Sequence, residues 1–284
     1  MKPTTIQEFM KMFPDDDACL EHLMHKNHGK ELDCPKCGKH GKFHRIKKHP
    51  TYECAWCGYV ISPMANTIFE RSHTPLQKWY YAIYLFTTTR HGVPALELQR
   101  QLGVAYPTAL RMAHKIRELM ADTDGENPLD GDVEVDETYI GGKRPGKRGR
   151  GAANKSIAFG MLDRDGDVMT EIVPNVKKNT LQPIIQENVK SGSTVHTDEL
   201  RSYKGLDKAG YEHKRVNHGA GEYVSGECHV NSIEGFWARF KLSIRGTHIH
   251  VSKHHLRKYL KEFEFRYNYR EKPEQMFPDL LKAL

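Results

Sequence analysis

Apolar residues recur at helix spacing from the start of the chain. Ile6, Phe9, Met10 and Phe13 form one stripe, and Leu20, Leu23 and Met24 continue it beyond Pro14. Residues 1 to about 30 therefore read as helical. The same period returns between about 75 and 120. Pro75 suits a first helical turn, and Trp79, Ile83 and Phe86 make the stripe that follows. Val93 to Val104 gives a short helix that ends in a turn at Gly103, and Tyr106 to Arg117 gives a second. A polar linker, Asp122 to Gly131, ends this pattern. Beyond it the period becomes that of strands, expected at 132–140, 157–163, 167–174 and 194–198, with a helix at about 179–190. Asp163-Arg164-Asp165-Gly166-Asp167 joins the second and third strands. Its glycine falls at the fourth position and no Glu follows at the twelfth, so it reads as a hairpin turn, not a calcium loop. Ile233, Phe236, Trp237 and Phe240 stripe one later helix. Leu256, Tyr259, Leu260, Phe263 and Tyr267 stripe another that covers the core.

These shifts divide the chain into a helical segment (1–30), a cysteine-bearing segment (31–70), a helical region (71–122), a large mixed domain (131–272) and a tail (273–284). Hydrophobic residues are 38% of 284 and mean hydropathy is −0.68, which allows a core under a very polar surface. No apolar run approaches the ~20 residues a bilayer span needs. Met1-Lys2-Pro3-Thr4 opens no secretory stretch, so a cytoplasmic protein without a membrane partner is expected.

The net charge of +7 points to a polyanionic partner, and its distribution says more than its sum. Lys143, Arg144, Lys147, Arg148 and Arg150 crowd a Gly-rich run close to Asp136. The bland reading is a solvated loop. Proximity to acidic candidates favours contact with a phosphate backbone.

Four of the six cysteines form two Cys-x-x-Cys pairs, Cys34/Cys37 and Cys54/Cys57, while Cys19 and Cys228 stand alone as reduced thiols. Gly38 and Gly58 close the two knuckles, where positive φ is needed. One structural Zn²⁺ on four thiolates is expected. A redox dithiol would not need the second pair. The closed site leaves folding as its role, together with presentation of Lys36, Lys39, Lys42, Arg45, Lys47 and Lys48 to DNA. The helix pair around Gly103 has the helix-turn-helix pattern, with Thr108, Arg111, His114 and Lys115 facing outward on the second helix. The alternative is a helical hairpin packed on the core.

Acidic residues carry the chemistry. On strand 132–140, Glu134, Asp136 and Thr138 share a face, and Val133, Val135 and Tyr139 share the other. An acidic face in a central strand is costly unless its charges are paired or bind metal. Asp136 is the favoured ligand, with Glu134 and Glu137 as competitors. Asp198 ends the strand Thr194–Thr197. Glu234 sits near the start of a helix, where Asn231-Ser232-Ile233-Glu234 also fits a capping box. Seven residues on, Lys241 returns to the azimuth of Glu234. A carboxylate and a lysine on one face can hold metal and phosphate together. Asn231 is the fallback ligand.

Several stretches carry a resemblance. They are Val135-Asp136-Glu137-Thr138-Tyr139-Ile140-Gly141-Gly142-Lys143, Thr197-Asp198, His229-Val230-Asn231-Ser232-Ile233-Glu234-Gly235-Phe236-Trp237, and the tail from Leu256 to Arg270. With the cysteine pairs, they resemble DDE-type transposases of bacterial insertion sequences, of the group with an N-terminal zinc ribbon. The resemblance implies an α/β fold: a ribonuclease H-like mixed-sheet catalytic domain preceded by a zinc ribbon and a helix-turn-helix. It implies catalysis by Asp136, Asp198 and Glu234 with two Mg²⁺ ions per site, for which Mn²⁺ substitutes. Lys241 matches the family's downstream lysine, with a DNA-positioning role.

The function expected is binding of insertion-sequence ends, hydrolysis at the end and strand transfer into target DNA. The partners are transposon-end and target DNA, and pairing two ends calls for a homodimer or higher oligomer in the nucleoid. Two alternatives stand beside it: a catalytically inactive DNA-binding regulator, and a nuclease of the same fold that cuts without joining.

Overall fold

The computed structural model describes residues 4–124, 127–141, 155–216 and 229–284. The basic run Lys143–Arg150 and Cys228 lie outside the described residues. The chain forms two compact units, Met1–Thr123 with Lys272–Leu284, and Asp124–Glu271.

In the first unit, α1 (Ile6–Met12) starts with a reciprocal cap. Thr5 Oγ1 accepts from the Glu8 N–H, and the Thr5 N–H donates to Glu8 Oε2 at 2.7 Å. Asp15 caps α2 (Asp16–His28) by accepting from the Ala18 N–H at 2.8 Å. Three short antiparallel strands follow, β1 (Phe43–Ile46), β2 (Thr51–Cys54) and β3 (Val60–Ile61). Pro75 stands at the N-cap of α3 (Leu76–Thr88), just before the first turn expected for it. Two more helices, α4 (Ala95–Leu102) and α5 (Tyr106–Thr123), flank Gly103, whose φ of 61° and ψ of 43° make the left-handed turn that ends α4. Leu98 and Leu102 of α4, with Ala109, Met112 and Ile116 of α5, are buried.

The second unit is built on a five-stranded mixed sheet. Its strands are β4 (Asp132–Ile140), β5 (Ser156–Asp163), β6 (Val168–Val173), β7 (Thr194–Thr197) and β8 (Glu212–Arg215), in the order β6-β5-β4-β7-β8. The first three are antiparallel neighbours, while β7 runs parallel to β4 and β8 parallel to β7. The β5–β6 turn is the expected hairpin: Asp163 N–H bonds Asp167 O at 2.9 Å. β8 was not expected. Its Glu-His-Lys-Arg sequence has no apolar alternation; it is an edge strand held by backbone pairing with β7 and by polar side-chain contacts such as His213 Nε2 with Thr197 Oγ1 at 2.9 Å.

Helices cover both faces. On one, Val133, Val135, Phe159, Met161 and Val195 pack with Leu181 and Ile185 of α6 (Lys178–Asn188) and with Tyr203 and Leu206. On the other, Ala158, Leu162 and Val168 pack with Ile233, Phe236, Trp237 and Phe240 of α7 (Asn231–Ser243) and with Leu256, Tyr259 and Leu260 of α8 (Leu256–Asn268). The α7 and α8 stripes face the sheet as expected. The buried acids of α8 were not foreseen: Glu262 pairs with Arg266 at 2.9 Å, and Glu264 accepts from the Thr170 N–H and from Lys261.

Candidate active site

Strand register sets the first two carboxylates side by side. Val135 of β4 is the partner of Thr197 in parallel β7. Asp136 and Asp198 are each the next residue: Asp136 lies midway along β4, where its pairing with β7 ends, and Asp198 follows the last residue of β7. The chain turns as it leaves β7, with the Leu200 N–H donating to Asp198 Oδ1 at 2.8 Å.

The third carboxylate comes from α7, and two contacts bring that helix in. Asp136 is paired across the sheet with Gly160. A Cβ at Gly160 would lie 2.6 Å from Trp237 Cζ2 and 3.0 Å from Ile233 Cδ1, so only glycine lets α7 sit this close. The second contact is at the helix N-terminus. Val230 at the N-cap provides no side-chain cap. Instead, Glu134 Oε2 accepts from the N–H groups of Ser232 at 2.8 Å and Ile233 at 3.0 Å. A fully buried carboxylate thus satisfies orphan helix donors and meets the positive end of the dipole. Arg164 Nε binds the other oxygen of Glu134 at 2.8 Å, and its Nη2 donates to His229 O. The capping box anticipated at Asn231–Glu234 does not form. Asn231 is the first helical residue, and the Glu234 N–H that its side chain would have capped donates to Val230 O at 3.1 Å.

Three of the four acids of β4 therefore have different surroundings. Glu134 holds α7. Glu137, on the opposite face, is buried and accepts from the Tyr203 hydroxyl at 2.8 Å. Asp136 faces Asp198 and Glu234. Its carboxyl is pushed up to about 8, first by burial and then by the negative charges of Glu137, Asp198 and Glu234. Lys241, two turns along α7 from Glu234, is held below the usual lysine range by burial, against which the attraction of Asp136 works, while Arg245 and Lys155 add repulsion. Asp198, Glu234 and Lys241 are thus each within electrostatic reach of Asp136. Sequence reading did not find Arg164, Gly160 or Tyr203. The one available signal was Gly160, a glycine inside an apolar strand.

In the first unit, the sulfurs of Cys34, Cys37, Cys54 and Cys57 all lie within 4.8 Å of one another, the one such metal-ligating group among the described residues. Two Sγ–Sγ separations are 3.5 and 3.9 Å, against the about 3.8 Å that a tetrahedron of ~2.3 Å Zn–S bonds requires. The knuckles repeat each other: Gly38 N–H bonds Cys34 O and Gly58 N–H bonds Cys54 O, with φ of 67° and 69° at the glycines. The residues fit a structural Zn²⁺. On α5, Arg111 and Lys115 are exposed, while Thr108 and His114 are half-buried. Arg71, His73, Thr108 and Arg111 line a cleft of about 610 Å³ beside the Gly103 turn.

Family models match over two stretches. Residues 128–268 match the ISXO2-like transposase domain, and residues 14–60 match the transposase zinc-ribbon domain. The chain is 30% identical over 263 residues to an uncharacterized protein in transposable element ISH50 of Halobacterium salinarum, covering 84% of this chain and 86% of that one. It is 39% identical over 117 residues to an uncharacterized transposase-like protein of Haemophilus influenzae, covering 41% of this chain and 92% of the other. These matches define a transposase whose N-terminal unit carries a zinc ribbon. The chain belongs to the ISXO2-like transposase family. Among the described residues no helix is long and apolar enough to cross a membrane.

Proposed function

We propose that the chain binds the ends of an insertion sequence, hydrolyses a phosphodiester there and transfers the freed 3′-hydroxyl to target DNA. The observation that carries this reading is the β4–β7 register, which brings Asp136 next to Asp198, and the charges of Glu234 and Lys241 of α7 acting on Asp136 support it. The strand order, an antiparallel triplet extended by two parallel strands, supports a ribonuclease H-like catalytic fold.

Asp136, Asp198 and Glu234 form an all-oxygen donor set suited to Mg²⁺, with Mn²⁺ as substitute. When bound, such ions lower the pKa of a water nucleophile and neutralise charge on the transferring phosphoryl group. The protein supplies the rest. Glu134 and Gly160 fix the height and register of α7, and with them the position of Glu234. Asp136 holds a proton that it gives up when cations bind. Lys241 orients a DNA phosphate against the acids. The same site serves hydrolysis and joining, since both are attacks on phosphorus.

DNA ends are held elsewhere on the chain. The pair α4 and α5 acts as a helix-turn-helix, with Arg111 and Lys115 toward DNA and the Arg71–Arg111 cleft taking backbone phosphate. Lys143, Arg144, Lys147, Arg148 and Arg150, which follow Asp136 closely in sequence, add phosphate contacts. Pairing of two ends makes the active form a dimer or larger.

The test is a strand-transfer assay on the element's own end DNA with Mg²⁺, comparing wild type, Glu234→Ala and Asn231→Ala. Joined products from wild type and Asn231→Ala, and none from Glu234→Ala, are expected. Binding without nicking or joining in either Mg²⁺ or Mn²⁺ would establish an inert DNA-binding regulator. Nicking without joining would establish a nuclease.

A further inference from the structure

Beyond α7 the backbone departs from regular helix. Ile244–His248 form one π-helical turn, and Ile249 follows at φ 63° and ψ −56°. A β-branched residue in that region is a genuine outlier, and such strain persists only where its surroundings impose it. The surroundings here are firm. Ile244 and Val251, on either side, pack against the α7–α8 core, and the His248 ring stands against Tyr259 at 4.8 Å. Between these anchors Ile249 projects outward, 82% exposed, with Leu242 at 67%. They are the most exposed large apolar side chains among the described residues.

The charge around this tip is one-signed. From Gly235 to Lys261 the sequence holds seven Lys and Arg residues, four His and no acid. Arg245, Lys253 and Arg257 are exposed. Lys241 joins this run to Asp136, so the tip continues the helix that carries the candidate site. An apolar point on a firm base, flanked along the chain by cations, fits a polyanion with an apolar interior. Duplex DNA, with stacked bases between phosphates, is that partner, and proteins unstack it with inserted Ile, Leu or Phe.

We propose that Ile249 is a wedge that enters the base stack beside the cleaved phosphodiester, while Arg245 and Lys253 grip phosphates on either side. Strand distortion at this point would open the scissile bond to the acids. The proposal rests on the DNA-cleaving function argued above.

The experiment uses the full chain and end-DNA duplexes carrying 2-aminopurine at successive positions across the cleavage junction. Wild type should raise 2-aminopurine emission several-fold at one or two adjacent positions. Ile249→Gly and Ile249→Ala should return emission to the duplex level and slow strand transfer roughly tenfold or more. Ile249→Gly also removes the positive-φ strain, so its melting temperature should equal or exceed that of wild type. A merely structural tip would then keep full activity. Arg245→Ala should keep the emission at the same position and reduce the salt slope of binding by about one. Wild-type joining with no emission change at any position overturns the wedge and leaves the transposase reading intact. So does full joining by Ile249→Gly. A smaller oligomer from Ile249→Gly with unchanged emission would reassign the tip to self-association, and loss of binding to anionic phosphatidylserine vesicles alone would reassign it to lipid. Wild type that binds DNA but never nicks removes both readings together.

Discussion

Replacing Asp136 by Asn should stabilise the metal-free protein while destroying its activity, and the size of the gain follows from the carboxyl's surroundings. In the unfolded chain this carboxyl loses its proton near 3.8, and in the native site near 8. Between those values the native state holds more protons than the unfolded one, so stability falls as pH rises through that window. Above the native value the whole penalty is present. At about 1.4 kcal/mol per pH unit the ceiling at pH 7 is roughly 4 kcal/mol. Asp136 is only partly buried, and solvent screening and local relaxation should reduce this to about 2 kcal/mol. Asn removes the ionisation, so Asp136→Asn should gain about 2 kcal/mol at pH 7 and less than half of that at pH 5. In a unit of this size that corresponds to a rise of roughly 4–8 °C in Tm at pH 7. The assay is thermal unfolding followed by circular dichroism, in buffer free of Mg²⁺ and Mn²⁺ but without a chelator that would strip zinc. Wild-type Mg²⁺ affinity should also rise about tenfold per pH unit between 5 and 8, since binding displaces that proton. A Tm that falls, or shifts equally at both pH values, would refute the electrostatic argument. Nicking by the variant would refute the assignment of Asp136.

Three further outcomes test the supports of the site. Gly160→Ala places a methyl group 2.6 Å from the buried Trp237 ring, and should cost about 1–3 kcal/mol in urea unfolding and depress nicking by displacing Glu234. Unchanged activity would show that α7 does not depend on this contact. Glu134→Gln leaves Arg164 beside a neutral partner and weakens the α7 cap, and should cost about 2–4 kcal/mol. Its effect on kcat should exceed that on DNA affinity, and the reverse would place Glu134 in DNA binding. Cys54→Ser should remove the zinc measured by atomic absorption and weaken end binding; a full equivalent of retained zinc rules out the four-thiolate site.

What could be read from the residues depended on whether the signal was local. The two Cys-x-x-Cys knuckles are local, with glycines where positive φ is needed, and their sulfurs converge as expected. The α7 and α8 stripes are periodic, and the buried residues Ile233, Trp237, Leu256 and Leu260 follow them. The central strand β5 reads as a near-continuous apolar run because the sheet is covered on both faces by apolar helices. Strand β8 has no such pattern, since an edge strand can be held by backbone pairing and polar side-chain contacts. The capping box that Asn231–Glu234 also fitted does not form, and the sequence pattern could not show what caps α7 instead: Glu134, nearly a hundred residues away, takes the Ser232 and Ile233 donors. Arg164 was hidden for the same reason. In sequence it is a hairpin-turn residue, and only the fold brings it to Glu134.

Glu134, Asp136 and Glu137 of β4 show why residue type alone could not rank them. Alternation turns Glu137 to the far face, where Tyr203 meets it, and leaves Glu134 and Asp136 on the face that α7 covers. Glu134 takes the helix N-terminus, while Asp136, two residues on, pairs with Gly160, the glycine that admits Ile233 and Trp237 of α7. One strand thus carries both the anchor of α7 and the favoured ligand. Rigidity of this kind is what a site needs when the same few side chains must serve a water and then a 3′-hydroxyl without rearrangement.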